Sequence, residues 1–285
     1  MRFISYVSKD GEGVGVASAE GYRGLAVGEL GFDLAGLIAG GETVLGGAGE
    51  RLSKAPVMAA GTWTLLPPLP RPGKIICIGL NYVDHSVESG FEPPTYPTVF
   101  TRFANSLVAH GAPIIRPTVS EQLDFEGELV VVIGRRVKAV SKDDALACVA
   151  GYSIFNDASI RDYQFKSPQW TMGKTFDGTG GFGPEFVTAD ELPPGCKGLK
   201  IETRLNGIVV QSATTADMIF DVATLIETLS VVMTLDPGDV IVSGTPSGVG
   251  LARKPPLWMK PGDLCEVEIE GVGLLSNPIE QQPAA

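Results

Sequence analysis

Three carboxylates at alternate positions, Asp124, Glu126 and Glu128, run into an unbroken apolar stretch in LDFEGELVVVIG. Val and Ile favour extended backbone, and alternate side chains of a strand share a face, so the acids would project together with Val130 and Val132. Acids two positions apart lie roughly 7 Å from each other, and at an effective dielectric of about 20 each pair repels by about 2 kcal/mol before any desolvation. Either this is an edge strand whose acids face water, or something positive stands among them. Asp157 ends a second apolar strand, in GYSIFND, with no His or Cys beside it. Glu126, Glu128 and Asp157 thus form a hard oxygen set suited to Mg²⁺, Mn²⁺ or Ca²⁺ and ill suited to zinc or iron–sulfur clusters.

A second constellation lies upstream. His85 and Glu88 fall in HSVE, after a buried strand and a polar turn. On a short helix, positions i and i+3 share a face, so Glu88 can hold one imidazole nitrogen and leave the other to take a proton from water. An exposed Glu–His pair of no consequence is the plainer alternative. His110, the other histidine, sits in the turn-like AHGAP and reads as a loop residue. Arg161, Gln164 and Lys174 lie in a polar, aromatic-rich tract and could reach an anionic substrate, although such side chains more often lie along the surface. Thr245, in SGTPSGVG, stands in a glycine-rich loop whose amides could hold a carboxylate. Gly178, Gly180 and Gly183 spell GxGxxG, but the motif neither follows a buried strand nor opens a helix, so a dinucleotide site is discounted.

Short β-like pieces occupy residues 1–70, together with one short amphipathic helix in FDLAGLIAGG. The stretch Leu65 to Lys74 holds four prolines, which remove donors and fix φ, and reads as the boundary between a small N-terminal domain (1–70) and the main domain (71–285). SGFEPPTYP, after the His85–Glu88 segment, is too rich in breakers for regular structure and suggests a lid. KDDALACVAGYSIFNDAS reads as a helix followed by the strand that ends at Asp157. LKIETRLNGIVVQSAT is a hairpin turning at Asn206-Gly207. Met218 to Leu235 carries a helical stripe of Ile219, Val222, Leu225, Ile226 and Leu229, and PGDLCEVEIEGVGLLSNP is a closing antiparallel pair whose acids face solvent.

The 285 residues, with 36 Gly and 21 Pro, suit a loop-rich globular chain of many short strands. A net charge of −11 without clustered Lys or Arg argues against nucleic acid and anionic membrane surfaces as partners. Cys77, Cys148, Cys196 and Cys265 are too far apart for a zinc motif and read as reduced and mostly buried. No apolar run approaches about 20 residues and the start lacks an apolar secretory core, so a cytoplasmic protein is expected.

In order along the chain, IGLNYVDH, DFEGELVVVIG, GYSIFNDASIRDYQ, QWTMGKTFD, LNGIVVQ, MIF and VIVSGTPSGVG give it a close likeness to one family. From about Lys74 to Pro278 it resembles the fumarylacetoacetate hydrolase family, in its acylpyruvase-like branch. The resemblance implies an α+β, β-rich fold, the family's mixed β-sandwich roll, with a Mg²⁺ or Mn²⁺ cofactor and a homodimer. It implies metal ligation by Glu126, Glu128 and Asp157, a lid dyad of His85 and Glu88, Lys174 over the reacting carbonyl, and substrate contacts from Arg161, Gln164 and Thr245. Asp124 is expected to support the ligands rather than join them. The leading expectation is hydrolysis of a carbon–carbon bond in a 2,4-dioxo acid: the cation acts as Lewis acid, the dyad activates water, and pyruvate leaves as its enolate. Oxaloacetate decarboxylation, isomerisation or hydration of unsaturated 2-oxo diacids, and a non-catalytic metal- or ligand-binding module are the alternatives.

Overall fold

The computed structural model describes residues 1–90 and 92–283. Its centre is the strand Gly127–Ile133, every residue of which is buried. Leu129, Val131 and Ile133 face one apolar core, with Ile201, Leu225, Ile226 and Val267. Val130 and Val132 face another, with Phe3, Leu34, Phe155 and Val242. Burial on both faces explains why the sequence shows a continuous apolar run here rather than alternation. Because Glu128 is in phase with Val130 and Val132, it emerges on the second of these faces.

Gly127–Ile133 pairs antiparallel with Val149–Asp157 on one side and with Val240–Val242 on the other. Val240–Val242 runs parallel to Ile75–Gly79, which pairs with the terminal strand Thr98–Thr101. These belong to a mixed 11-stranded sheet, and a five-stranded sheet covers its first core. The fold is therefore the expected mixed, β-rich one. Within the second sheet the hairpin Lys200–Leu205 and Ile208–Thr214 turns at Asn206 and Gly207, both with φ near +50° to +80° (53° and 77°). That is the geometry an Asn-Gly turn favours.

The strands Arg2–Ser8, Gly11–Ser18 and Gly21–Ala26 join the 11-stranded sheet through Arg2–Ser8, which is hydrogen-bonded to Gly180–Thr188. Backbone pairing thus runs across the proline-rich boundary. Two expectations are altered. The acidic segment is not one strand: Leu123–Asp124 pairs with Ser159–Ile160 in a separate two-stranded ladder, and regular pairing resumes only at Gly127. The helix near the C-terminal third spans Val222–Val232, opened by Asp221, whose side chain accepts from the Thr224 amide at 2.9 Å. This cap leaves Ile219 outside the helix. Among the described residues no helix is long and apolar enough to cross a membrane.

Candidate active site

Strand register brings the acids together. One step beyond the Gly127–Asn156 pair, the Asp157 amide donates to the Glu126 carbonyl at 2.8 Å. Glu126, Glu128 and Asp157 then present carboxylate oxygens within 4.8 Å of one another, all buried. Asp124 stands apart, since the break at Phe125 and Glu126 turns it away. It accepts from the amides of Phe125, Gly250 and Leu251 at 2.8, 2.7 and 2.9 Å and from Arg161 Nε at 2.8 Å.

Buried charge of this density must be matched, because each uncompensated ion costs several kcal/mol. Lys174 Nζ contacts Glu126 Oε2 at 2.5 Å and Asp157 Oδ2 at 2.6 Å. Arg102 Nη1 donates to Asp157 Oδ1 at 2.5 Å. Arg161 Nη2 lies 2.6 Å from Glu126 Oε1, an ion pair rather than a well-aligned hydrogen bond. Four buried acids (Asp124, Glu126, Glu128 and Asp157) therefore meet three buried cations (Arg102, Arg161 and Lys174). Burial alone would raise the Glu126 carboxyl, but Arg161 and Lys174 outweigh it and bring it down to about 2. Burial, with Asp157 and Glu126 as like-charged neighbours, holds Glu128 well above the usual carboxylate range. Of the four acids, Glu128 is thus the one whose surroundings favour the protonated form. Burial opposes the Lys174 charge, and Asp157 and Glu126 more than restore it.

His85 and Glu88 occupy the helix Val83–Glu88, where the expected i, i+3 contact is made: Nδ1 lies 3.0 Å from Glu88 Oε1. Glu88 is itself anchored, its two oxygens accepting from the Gly248 amide at 3.0 and 2.9 Å. His85, Glu126, Glu128, Arg161, Gln164, Lys174 and Thr245 all line one cavity of about 120 Å³. Glu88, which contacts His85, and Asp157, which lies against Glu126 and Glu128, are not part of this lining. Apolar walls come from Phe100, Phe165, Trp170 and Leu251. Trp170 lies so close over Gly79 that a Cβ there would fall 2.2 Å from the indole. Phe91, within the expected lid, lies outside the described residues.

Lys174, in the cavity lining, is held against two carboxylates that balance its charge. One placement differs from expectation. The loop amides expected to receive a substrate carboxylate serve the chain's own acids: Gly244 donates to Glu128 at 2.5 Å, Gly248 to Glu88, and Gly250 and Leu251 to Asp124. Gln211 completes the frame. Its side chain accepts from the Gly127 amide at 3.0 Å and donates to Thr245 Oγ1 at 2.8 Å, while Thr245 donates to the Gly127 carbonyl at 3.0 Å. Arg102, Gln211 and Gly248 were not among the sequence candidates. Arg102 reads as a surface arginine in FTRFANS, and only its place between two phenylalanines hints otherwise.

The donor set fits a hard divalent cation: three carboxylate oxygens, buried and mutually close, with no sulfur or imidazole among them. The family model for the fumarylacetoacetate hydrolase C-terminal region matches residues 74–280.

The chain belongs to the fumarylacetoacetate hydrolase family.

This family includes enzymes of several activities similar to the present chain. The mitochondrial oxaloacetate tautomerase fahd2 of Xenopus laevis is 42% identical over 242 residues, which is 84% of this chain and 76% of that protein. The 2-hydroxyhepta-2,4-diene-1,7-dioate isomerase of Mycobacterium marinum superposes with a TM-score of 0.75 at 31% identity, over 100% of both chains. The maleylpyruvate hydrolase of Sphingobium, solved with manganese(II) and pyruvate, gives a TM-score of 0.82 at 26% identity, over 99% of this chain and 100% of its own. In this fumarylacetoacetate hydrolase family enzyme Glu126, Glu128 and His85 line one small cavity, with Asp157 buried against the two glutamates.

Proposed function

We propose that the protein moves a proton on and off the carbon beside the 2-oxo group of a small 2-oxo acid, interconverting keto and enol forms. One observation carries this reading: His85, hydrogen-bonded to Glu88, lines the same small cavity as Glu126 and Glu128. The tautomerase relative supports it, and moves the weight away from the hydrolysis expected first. Glu126, Glu128 and Asp157 would hold Mg²⁺ or Mn²⁺, which when bound supplies Lewis acidity toward the 2-oxo and carboxylate oxygens and so acidifies the adjacent C–H. With Nδ1 engaged by Glu88, His85 has Nε2 left to take that proton and return it. Arg161, whose Nη2 is poorly aligned with Glu126, can turn its N–H groups onto a substrate carboxylate. Gln164 and Thr245 add polar contacts, and Phe100, Trp170 and Leu251 keep water from the reacting carbon.

Hydrolysis of a 2,4-dioxo acid is the second reading. The docked His85–Glu88 pair favours it, since a base so held can draw its proton from water as well as from carbon. The two readings separate in one panel with Mg²⁺ or Mn²⁺. A tautomerase speeds the decay of enol-oxaloacetate absorbance without releasing pyruvate, whereas a hydrolase converts acetylpyruvate to acetate and pyruvate. Inactivity on both substrates with both metals would contradict the proposal.

A further inference from the structure

The geometry points to Arg102 as a positioning residue that aims Asp157 into the cation site. Arg102 is among the largest fully buried side chains of the protein, and it touches none of the cavity. Every nitrogen of its guanidinium is engaged. Nε donates to Ser106 Oγ at 3.2 Å, Nη1 to Asp157 Oδ1 at 2.5 Å and to the Ala158 carbonyl at 3.1 Å, and Nη2 to Thr179 Oγ1 at 2.7 Å. Thr179 is fixed in turn by donating to the Phe176 carbonyl at 2.8 Å. The fork therefore cannot pivot without losing several bonds at once.

The consequence falls on Asp157. With Oδ1 taken by Arg102, Oδ2 is the oxygen turned toward the other acids, where Lys174 meets it at 2.6 Å. Arg102 fixes which oxygen faces the cation, and its charge offsets part of the repulsion among Asp157, Glu126 and Glu128. Glu126 and Glu128 are held otherwise, by the Arg161–Lys174 pair and by the Gly244 amide, so Asp157 depends on Arg102 in a way its two neighbours do not. Partners of this kind behind a ligand are typically worth about 10- to 100-fold in metal affinity.

The inference rests on the cation site of the proposed function, and the test keeps the two apart. The full-length protein, freed of metal, is titrated with Mn²⁺ while free Mn²⁺ is read by electron paramagnetic resonance. Wild type binds. Arg102→Gln is expected to weaken binding at least tenfold, and Arg102→Lys to recover part of the loss by restoring charge without the fork. Thr179→Val, which keeps the volume and removes the hydroxyl, should weaken it several-fold, while Thr179→Ser, which keeps the hydroxyl, should stay near wild type. Should Arg102→Gln fail to fold, Thr179→Val decides. Wild-type affinity in folded Arg102→Gln and Thr179→Val would overturn the role of Arg102 and leave the site standing, whereas a wild type that takes up no Mn²⁺ would remove the site and the inference together.

Discussion

At the scale of single residues the charge balance turns on Glu128. Burial and two acidic neighbours favour its protonated form. A carboxyl whose folded-state pKa is raised destabilises the fold as pH climbs from its ordinary value of 4.5 toward the raised one, because the unfolded chain releases that proton first. A dication replacing the proton removes the penalty. Melting temperature measured against pH should therefore fall over that window without metal and hold with saturating Mn²⁺, and Mn²⁺ affinity should rise with pH. Parallel curves with and without metal would contradict this. His85 is expected to behave differently from the ligands. His85→Ala should lower turnover by about 10²- to 10⁴-fold, the usual share of a general base, while Mn²⁺ affinity measured by titration stays near that of wild type.

At the scale of elements, the glycine-rich loop holds the site in register. Its amides reach Glu128, Glu88 and Asp124, which sit on three different segments. Gly248 carries φ of +105°, and a Cβ there would stand 2.3 Å from the Val210 carbonyl. Gly248→Ala should thus cost roughly 1–3 kcal/mol of stability and undock Glu88 from its amide. The expected readings are a lower melting temperature together with a turnover loss larger than the change in Mn²⁺ affinity. How far the site could be read from sequence follows from the same geometry. Local spacing reveals pairs such as His85–Glu88, and apolar runs reveal the strands that end in Glu126 and Asp157. Nothing local reveals Arg102, which meets Asp157 across 55 positions, or Gln211, which meets Gly127 across 84. The break at Phe125 was equally hidden, because an alternating acid pattern looks the same whether or not its ladder partner changes.

Across the whole molecule, the N-terminal strands and the family region share one sheet and one core. Phe3, Val14 and Leu34 pack in the same cluster as Val130 and Val132. Calorimetry should accordingly show one cooperative transition, and a chain lacking residues 1–66 should not fold; two separate transitions would restore independent domains. On the opposite face, Leu225→Ala removes a fully buried side chain from the core beneath the central strand and should cost about 2–5 kcal/mol in denaturant titration. The fold thus holds a strand buried on both faces, and the acids at its mouth inherit that rigidity. The central claim is that this mouth, with a divalent cation and His85, exchanges a proton at carbon. Its most direct test is deuterium incorporation at C3 of oxaloacetate in D₂O, followed by nuclear magnetic resonance. Exchange is predicted to exceed the buffer rate with Mg²⁺ or Mn²⁺, and to return to that rate after chelation or in His85→Ala. Exchange no faster than buffer with either metal, in wild-type protein shown to bind Mn²⁺, would contradict the account.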